Sequence, residues 1–558
     1  MSASRGQRGH RGGRIHSQQR ETNDTAPTVG NDLALPADLA ERYNETASFA
    51  HNDKTRQDYH NRIKRIITFW KENDPTYYAV GVCKVSEADL ADATKYHFGK
   101  TEDIVYEGLN ESFVLHFLVC NKHKDDGSKL KSLQDLRKYK DAIMWGSKMA
   151  GVLLPVKFFE MFDQFLGGYK KEFNKEKKKG NVDQTDADPI SISLYRLLLK
   201  YAIDSNNIFV WFWTLAQWNC MARCASIDPL GFHNVKLGVD SLVVKYDDSK
   251  ADKAGEKLSE KNIFANPFQW QECFWTGMGV WLALREGEGQ TGDCFFLHNG
   301  LLEGNASKKY AEQLVGMIQP HLTTVGNHIN IKKFNPYGTR KGSATHAVSG
   351  TTMPPSIPSI ARRGEWSIGS VLDVYWHFGS VGDQYLGRIL AGLDPMSPNF
   401  DVLPPHWNIS DPMSNEFVKR GMNLTYKNFM ENKPAYTALI LRLFACVVFH
   451  SDALIATMAS HSGHDFTKVA ILHDRALLKE LKSLVTLERT AGVIEASTGI
   501  PPHVTHARQL EKLLEQTGTL MTNMDHQNGT LVASMVKTLE DRGRSHYKPS
   551  PHTNSREA

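Results

Sequence analysis

Cysteine is scarce and unpatterned in this chain: seven in 558 residues, with no Cys-x-x-Cys pair. A disulfide framework is therefore not expected, and reduced thiols in an intracellular compartment are the simplest account. Cys220 and Cys224 lie on one apolar stretch without further ligands nearby, which points to core packing rather than a metal site. Long apolar runs are missing too. The longest, from Ala438 to Phe449, is interrupted by Arg442 and is too short to span a bilayer, so no membrane association is expected. The N-terminus lacks the apolar core of a secretory leader. Strong net charge is also absent, since the formal balance is only +4. Before Glu21 there is no acid, whereas Arg5, Arg8, Arg11, Arg14 and Arg20 sit among glycine and serine. Such a segment cannot bury apolar area, so residues 1–45 are predicted to be a disordered basic tail, either a solubilising segment, a nucleic-acid contact or a nuclear address.

What is present is an ordinary globular composition, 41% hydrophobic and 23% charged, long enough for two or three domains. From Thr55 to Trp70 the residues Tyr59, Ile63, Ile66, Ile67 and Trp70 recur at helical spacing, alongside Arg56, Arg62, Lys64 and Arg65. Ser132 and Asp135 make a capping pattern ahead of Leu133, Leu136 and Ile143. Residues 46–165 are thus predicted to be an all-α domain with one basic helix. Residues 166–189, with Lys170, Lys171, Lys175, Lys177, Lys178 and Lys179 before Gly180, read as a basic linker. It is either a solvated tether or a strap along a phosphate backbone.

Residues 190–400 read as a mainly α domain with a small β element. A long aromatic-rich helical stretch covers Ser191 to Asn219, turning at Asp204 to Asn207, and strand alternation appears between Val235 and Tyr246. Residues 401–542 are predicted to be an all-α region. From His506 onward Leu510, Leu513, Leu520, Met524, Leu531 and Met535 follow an imperfect heptad, with Thr517, Gln527 and Ser534 on or beside the seam. Ordinary helix packing and a coiled coil are both compatible with it. Residues 543–558 read as a disordered tail.

The chemistry-bearing residues are sparse: Arg223, Lys250, Arg340, Trp366 and Tyr375, with Tyr337 opening the stretch Tyr337-Gly-Thr-Arg340-Lys341. Cleaving a phosphodiester by attack on phosphorus needs an in-line nucleophile, positive charge at the equatorial oxygens and a proton for the leaving alkoxide. Arginine suits the oxygens because its planar fork makes two parallel bonds and stays charged. A lysine can give the leaving oxygen its proton, and here Lys250 competes with Lys245 and Lys253. A tyrosine that forms a covalent phospho-enzyme stores the bond energy for rejoining. Neither a metal nor another cofactor is expected.

These residues resemble the tyrosine recombinase family in order and context. Met221-Ala-Arg223-Cys-Ala-Ser226-Ile is similar to its first arginine box, Leu242-Val-Val-Lys-Tyr-Asp-Asp-Ser-Lys250 to its hairpin lysine, and Gly364-Glu-Trp366 with Tyr375 nine positions on to its last motif. His377, two beyond the tyrosine, is also common there. Gly338-Thr-Arg-Lys-Gly-Ser-Ala-Thr and Gly382-Asp-Gln-Tyr-Leu-Gly-Arg388 look closest to eukaryotic recombinases of Crypton-type mobile elements. The resemblance covers residues 190–395. It implies an α+β catalytic fold, a helical core-binding domain before it, and a site-specific recombinase or integrase acting on double-stranded DNA in the nucleus. It also implies a 3′-phosphotyrosine intermediate formed without metal or ATP, and a homo-oligomer that is tetrameric on DNA.

In that reading Tyr375 is the nucleophile, with Tyr385 as its rival. Arg223, Arg340, Lys250, Trp366 and Tyr337 complete the site. Arg56, Arg62, Lys64, Arg65, Lys175, Lys177, Lys178, Lys179 and Lys341 contact DNA, and the two folded domains close around the duplex. Two positions depart from the family pattern: Tyr337 stands where the second box usually begins with histidine, and Ser226 where an acid usually stands. They leave open a catalytically impaired, element-derived DNA-binding protein. A type IB topoisomerase shares the chemistry, but nothing outside the catalytic region resembles one.

Overall fold

The computed structural model describes residues 53–73, 106, 109, 111–124, 129–182, 187–247, 258–289, 292–296, 305–366, 380–487 and 498–545. The chain divides into two compact units, Met1–Gln184 and Thr185–Ala558. The predicted tails, apart from residues 543–545, lie outside the described residues.

In the first unit the described chain is helical: α1 (Asp53–Asn73), α2 (Glu111–Cys120), α3 (Leu133–Met149) and α4 (Val156–Lys178). The helical spacing of α1 buries Ile63, Ile66, Ile67 and Trp70 against α3. The Ser132 hydroxyl accepts from the Asp135 amide at 3.1 Å and donates to its carboxylate at 2.7 Å, fixing the start of α3. One boundary is corrected. Residues 166–178 are not a linker but the last turns of α4, because Phe158, Phe162, Leu166 and Tyr169 continue one buried stripe. Lys175, Lys177 and Lys178 occupy the exposed last turn, where the helix dipole favours cations.

The second unit is mainly helical around a small antiparallel sheet. Helices α5 (Ile192–Asp204), α6 (Ile208–Asn219) and the short α7 (Cys224–Ile227) lead into β1 (Val235–Leu237), β2 (Leu242–Val244) and β3 (Lys261–Ile263), ordered β1-β2-β3. The expected break between α5 and α6 is set by Asn206 at φ 58°. Strand β3 leaves no signal in the sequence, since three residues with two polar ones give no visible alternation. Then come α8 (Phe274–Gly287), α9 (Asn305–Ile318), α10 (Leu322–Gly326), α11 (Tyr337–Ser349), α12 (Ile357–Arg363) and α13 (Ser380–Leu390). Beyond them lie β4 (His406–Trp407), α14 (Glu416–Asn432), α15 (Thr437–Phe449), α16 (Ser451–Ser460), α17 (Arg475–Ser483), β5 (Val485–Thr486) and α18 (Pro502–Ser545).

The boundary expected at residue 400 does not divide this unit. Trp407, Val418, Phe444 and Leu481 belong to the same core as Trp211, Trp218 and Trp275. Helix α6 is buried on every side, and α8 packs directly on α15. At that crossing Gly279 is required, because a Cβ there would lie 2.7 Å from Val447 Cγ2. So residues 401–484 complete the core of the second unit, whereas residues 509–542 of α18 are exposed.

That shared core generates a pH prediction. His450 is 8% exposed, and burial pulls its pKa from 6.5 down to about 4. Between those values the unfolded chain binds a proton that the folded chain refuses. Stability is therefore complete above about pH 6.5 and falls as pH drops toward 4, by about 3 kcal/mol from this group alone. Urea unfolding at pH 7 and pH 4.5 should show a smaller acid loss in His450→Gln than in the parent chain.

Candidate active site

Three chain reversals bring the site together. Helix α6 ends at Asn219, and Met221 takes φ 50°, so that Arg223 leaves from the extended N-cap of α7. Asn335 Oδ1 accepts the Tyr337 amide at 2.9 Å to open α11, and Gln217 Nε2 of α6 donates to Pro336 O at 3.0 Å. Helix α12 ends at Arg363, after which Glu365 takes φ 55° and leads to Trp366. Left-handed backbone at two non-glycine residues costs of order 1–3 kcal/mol each and persists only where the surroundings over-determine it.

Arg340, one turn into α11, ties two of these reversals. It is 2% exposed, donates through Nη1 to Met221 O at 2.6 Å and through Nη2 to Gly364 O, and lies 5.6 Å from the Trp366 ring. The expected two-point grip of Arg340 on phosphate is thus corrected: its fork faces main-chain carbonyls that the left-handed turns leave in need of donors. Its buried Nε makes no hydrogen bond among the described residues. Burial, then the neighbouring Arg223 charge, pulls its pKa below the usual arginine range.

Two residues that the sequence did not single out complete the cluster. Lys261, the first residue of β3, is fully buried. Its Nζ lies 3.1 Å from Glu365 Oε1 and 4.1 Å from the Tyr246 ring centroid. Burial lowers the lysine pKa, while the Glu365 carboxylate acts in the opposite direction. Glu365 Oε2 stands 3.6 Å from Arg223 Nη1, beyond hydrogen-bond reach, and neither atom has a hydrogen-bond partner among the described residues. Arg223 itself is 24% exposed. Among the described residues one carboxylate therefore sits among three cations, Arg223, Lys261 and Arg340, and the surplus positive charge suits an oxyanion. Glu365 was legible only as part of Gly-Glu-Trp, and nothing in the sequence around Lys261 set it apart.

A second interaction holds this cluster in place. Arg363 and Asp383 form an ion pair of 2.6 Å with neither side chain exposed. Arg363 also donates to Asn219 O at 2.8 Å and to Asn262 O at 3.0 Å, and Asp383 accepts the Asn262 amide at 2.6 Å. Asn219 precedes the Arg223 turn, Asn262 follows Lys261, and Arg363 precedes Glu365. Helix α13 can lie this close to β3 because Gly387 has no side chain; a Cβ would meet Asn262 O at 2.1 Å.

The remaining expected residues divide. Trp366 is 39% exposed beside Arg340, and Tyr337 is 45% exposed under the Lys341 ammonium. Lys341 Nζ donates to Ala187 O at 2.9 Å and ties that segment to α11. Arg62 pairs with Asp58 at 3.3 Å, donates to Asp135 O and stacks on Tyr139, because its position borders the α1–α3 contact. Lys64 and Arg65 line a groove of about 800 Å³ together with Lys131, but Asp58 and Glu72 line it too. Arg56 lies on the same helix. Lys179 pairs with Glu176 at 2.7 Å, whereas Lys175, Lys177 and Lys178 are on the last turn of α4. Tyr375 and Lys250 lie outside the described residues; Arg363 and Asp383 bracket the segment that carries the first, and β2 and β3 the second. Tyr385 donates to Met353 O at 2.7 Å, a structural bond that a nucleophile would have to give up.

Among the described residues no His, Cys, Asp and Glu side chains group as metal ligands would, and no single helix is long and apolar enough to cross a membrane. Comparison with family profiles, curated proteins and solved structures finds no match for this chain.

Asp383→Asn should leave the Arg363 charge buried without a counter-ion. The expected loss is about 3–5 kcal/mol of unfolding free energy, read by denaturant titration. Asp247→Asn, whose partner His233 is exposed, should change stability by less than about 0.5 kcal/mol.

Proposed function

We propose that the chain is a tyrosine-type site-specific DNA recombinase, close to the Crypton-type enzymes, that cuts and rejoins duplex DNA through a 3′-phosphotyrosine at Tyr375. The observation that carries this reading is the convergence of Arg223, Arg340 and Trp366, three residues far apart in sequence, on one partly open cationic site. The segment bearing Tyr375 leaves from that site at Trp366. In this mechanism Arg223 and the Arg340 Nε stabilise the phosphoryl oxygens as charge develops on them. The Tyr375 phenol loses its proton to solvent as its oxygen bonds to phosphorus and the bond to the 5′ oxygen breaks, and that oxygen takes a proton from a lysine, Lys250 or Lys261. Reversal with a second 5′ hydroxyl rejoins the strand, so neither ATP nor metal is required.

A second reading is favoured by a specific observation. The Arg340 fork already serves two carbonyls, and the Glu365 carboxylate sits where a phosphate would meet Arg223 and Lys261. With Tyr337 and Ser226 departing from the family pattern, this describes a DNA-binding protein that keeps the grip and lacks cleavage. A nicked suicide duplex carrying the candidate element ends separates the two. The recombinase reading expects a covalent adduct from the parent chain and from Tyr385→Phe, and none from Tyr375→Phe, although that variant binds DNA. An adduct from Tyr375→Phe overturns the assignment, and no adduct from the parent leaves the binding protein as the correct reading. Arg223→Lys should lower adduct formation on the order of 10²-fold, because an ammonium cannot reproduce the guanidinium fork.

The basic end of α4 carries a further expectation about DNA. Replacing Lys175, Lys177, Lys178 and Lys179 with glutamine should flatten the dependence of log K on log salt, for any duplex sequence. The slope should change by about 0.9 for every phosphate that the variant no longer neutralises. An unchanged slope shows that this turn is only solvated.

A further inference from the structure

Helix α18 begins anchored on its own unit and then runs on fully exposed. Val504 is buried with Leu393 and Phe400, Arg508 Nη2 pairs with Asp401 at 2.7 Å, and its Nε donates to Pro398 O at 2.8 Å. From residue 509 to 542 every residue is exposed. Over this stretch Leu510, Leu514, Met521, Met524, Leu531 and Met535 are between 58% and 71% exposed. They fall on a single heptad seam, with a positions at Leu514, Met521, Asn528 and Met535 and d positions at Leu510, Met524 and Leu531. The two polar d residues, Thr517 and Thr538, turn their hydroxyls back onto the carbonyls of Leu513 and Ser534, which leaves their methyl groups for the seam. No charged residue occupies a or d from Leu510 to Thr538. The seam runs about 42 Å at the usual helical rise.

A bare helix of this kind is unstable in water. It exposes a continuous apolar stripe, and it contains Gly518 and Gly529, each with nothing within 4 Å of its Cβ position, which weaken a helix that has no packing to hold it. A partner is needed, and the polar seam residue selects which one. An Asn at an a position finds a matched amide only in the same residue of an identical helix aligned in parallel and in register, a device that favours two strands.

We propose that α18 is a parallel, in-register, two-stranded coiled coil that joins two copies of this chain without DNA. The inference rests on α18 alone and stands or falls independently of the recombinase reading.

Light scattering on the full-length chain in DNA-free buffer tests it. The expected mass is twice the 62.8 kDa of one chain, falling to one chain in the double variant Leu514→Glu, Met521→Glu. The second unit should keep its fold in that variant, because Leu514 and Met521 are 71% and 62% exposed and take no part in its core. Asn528→Leu should move the population toward assemblies larger than a dimer. Met521→Cys should give a covalent dimer under oxidation that the parent chain does not form, since a residues of parallel strands face each other within disulfide reach. A monomeric parent, a parent larger than a dimer, or a dimer that survives the double variant overturns the proposal. So does a dimer of Met521→Cys that fails to cross-link.

Discussion

The buried pair of Arg363 and Asp383 is the constraint on which the candidate site depends. Neither side chain reaches solvent, and isolated charges so placed would be prohibitive. Here each charge is satisfied several times over: Arg363 by the carbonyls of Asn219 and Asn262, Asp383 by the backbone and side-chain amides of Asn262. One pair thereby fixes the exit of α6, the start of β3, the end of α12 and the first turn of α13. Arg223, Lys261 and Glu365 each lie within a few residues of one of those anchor points. The pair also holds α12 to α13 on either side of residues 367–379. A similar pair, Arg388 with Asp240 at 2.6 Å, fastens the far end of α13, and Arg388 covers the Phe264 ring at 4.0 Å.

On this frame the site balances cations against one internal anion. Lys261 is buried deeply enough that it needs Glu365 beside it. Arg223 is less deeply placed, and its contact with the second carboxylate oxygen is too long for a hydrogen bond. The carboxylate therefore satisfies the lysine and leaves the arginine incompletely neutralised. That asymmetry keeps three cations assembled without a ligand and leaves Arg223 the group best placed to accept an incoming oxyanion. The left-handed backbone at Glu365 and at Met221 is held by the Arg340 fork, which makes Arg340 a positioning group for both turns as well as a source of charge.

Much of this was legible in the sequence, and the gaps have physical causes. The helical stripe of Ile63, Ile66, Ile67 and Trp70 and the Ser132 cap were readable because burial and capping leave local patterns. Arg223, Arg340 and Trp366 were readable as a set through order and spacing. What local patterns cannot carry is the use to which a charged side chain is put. Arg62 and Lys341 look like surface cations in sequence, yet each is held by a carbonyl from a distant segment. Lys261 and Glu365 become partners only when β3 packs beside the end of α12, a pairing of residues 104 positions apart. The lysines after Lys170 suggested a linker because charge hides the apolar stripe that continues through Tyr169. The join between residues 400 and 416 looked like a boundary because its prolines mark a turn but not which core the following helices enter.

The central claim is that Arg223, Lys261, Arg340 and Glu365 form an oxyanion site. Its most direct test is a crystal of the full chain soaked with tungstate and read by anomalous scattering. The account predicts a tungstate peak within hydrogen-bond reach, about 3 Å, of the Arg223 guanidinium, with the Glu365 carboxylate still on Lys261 or displaced toward solvent. A site that stays empty at saturating tungstate, with Arg223 turned away from Arg340, would contradict it.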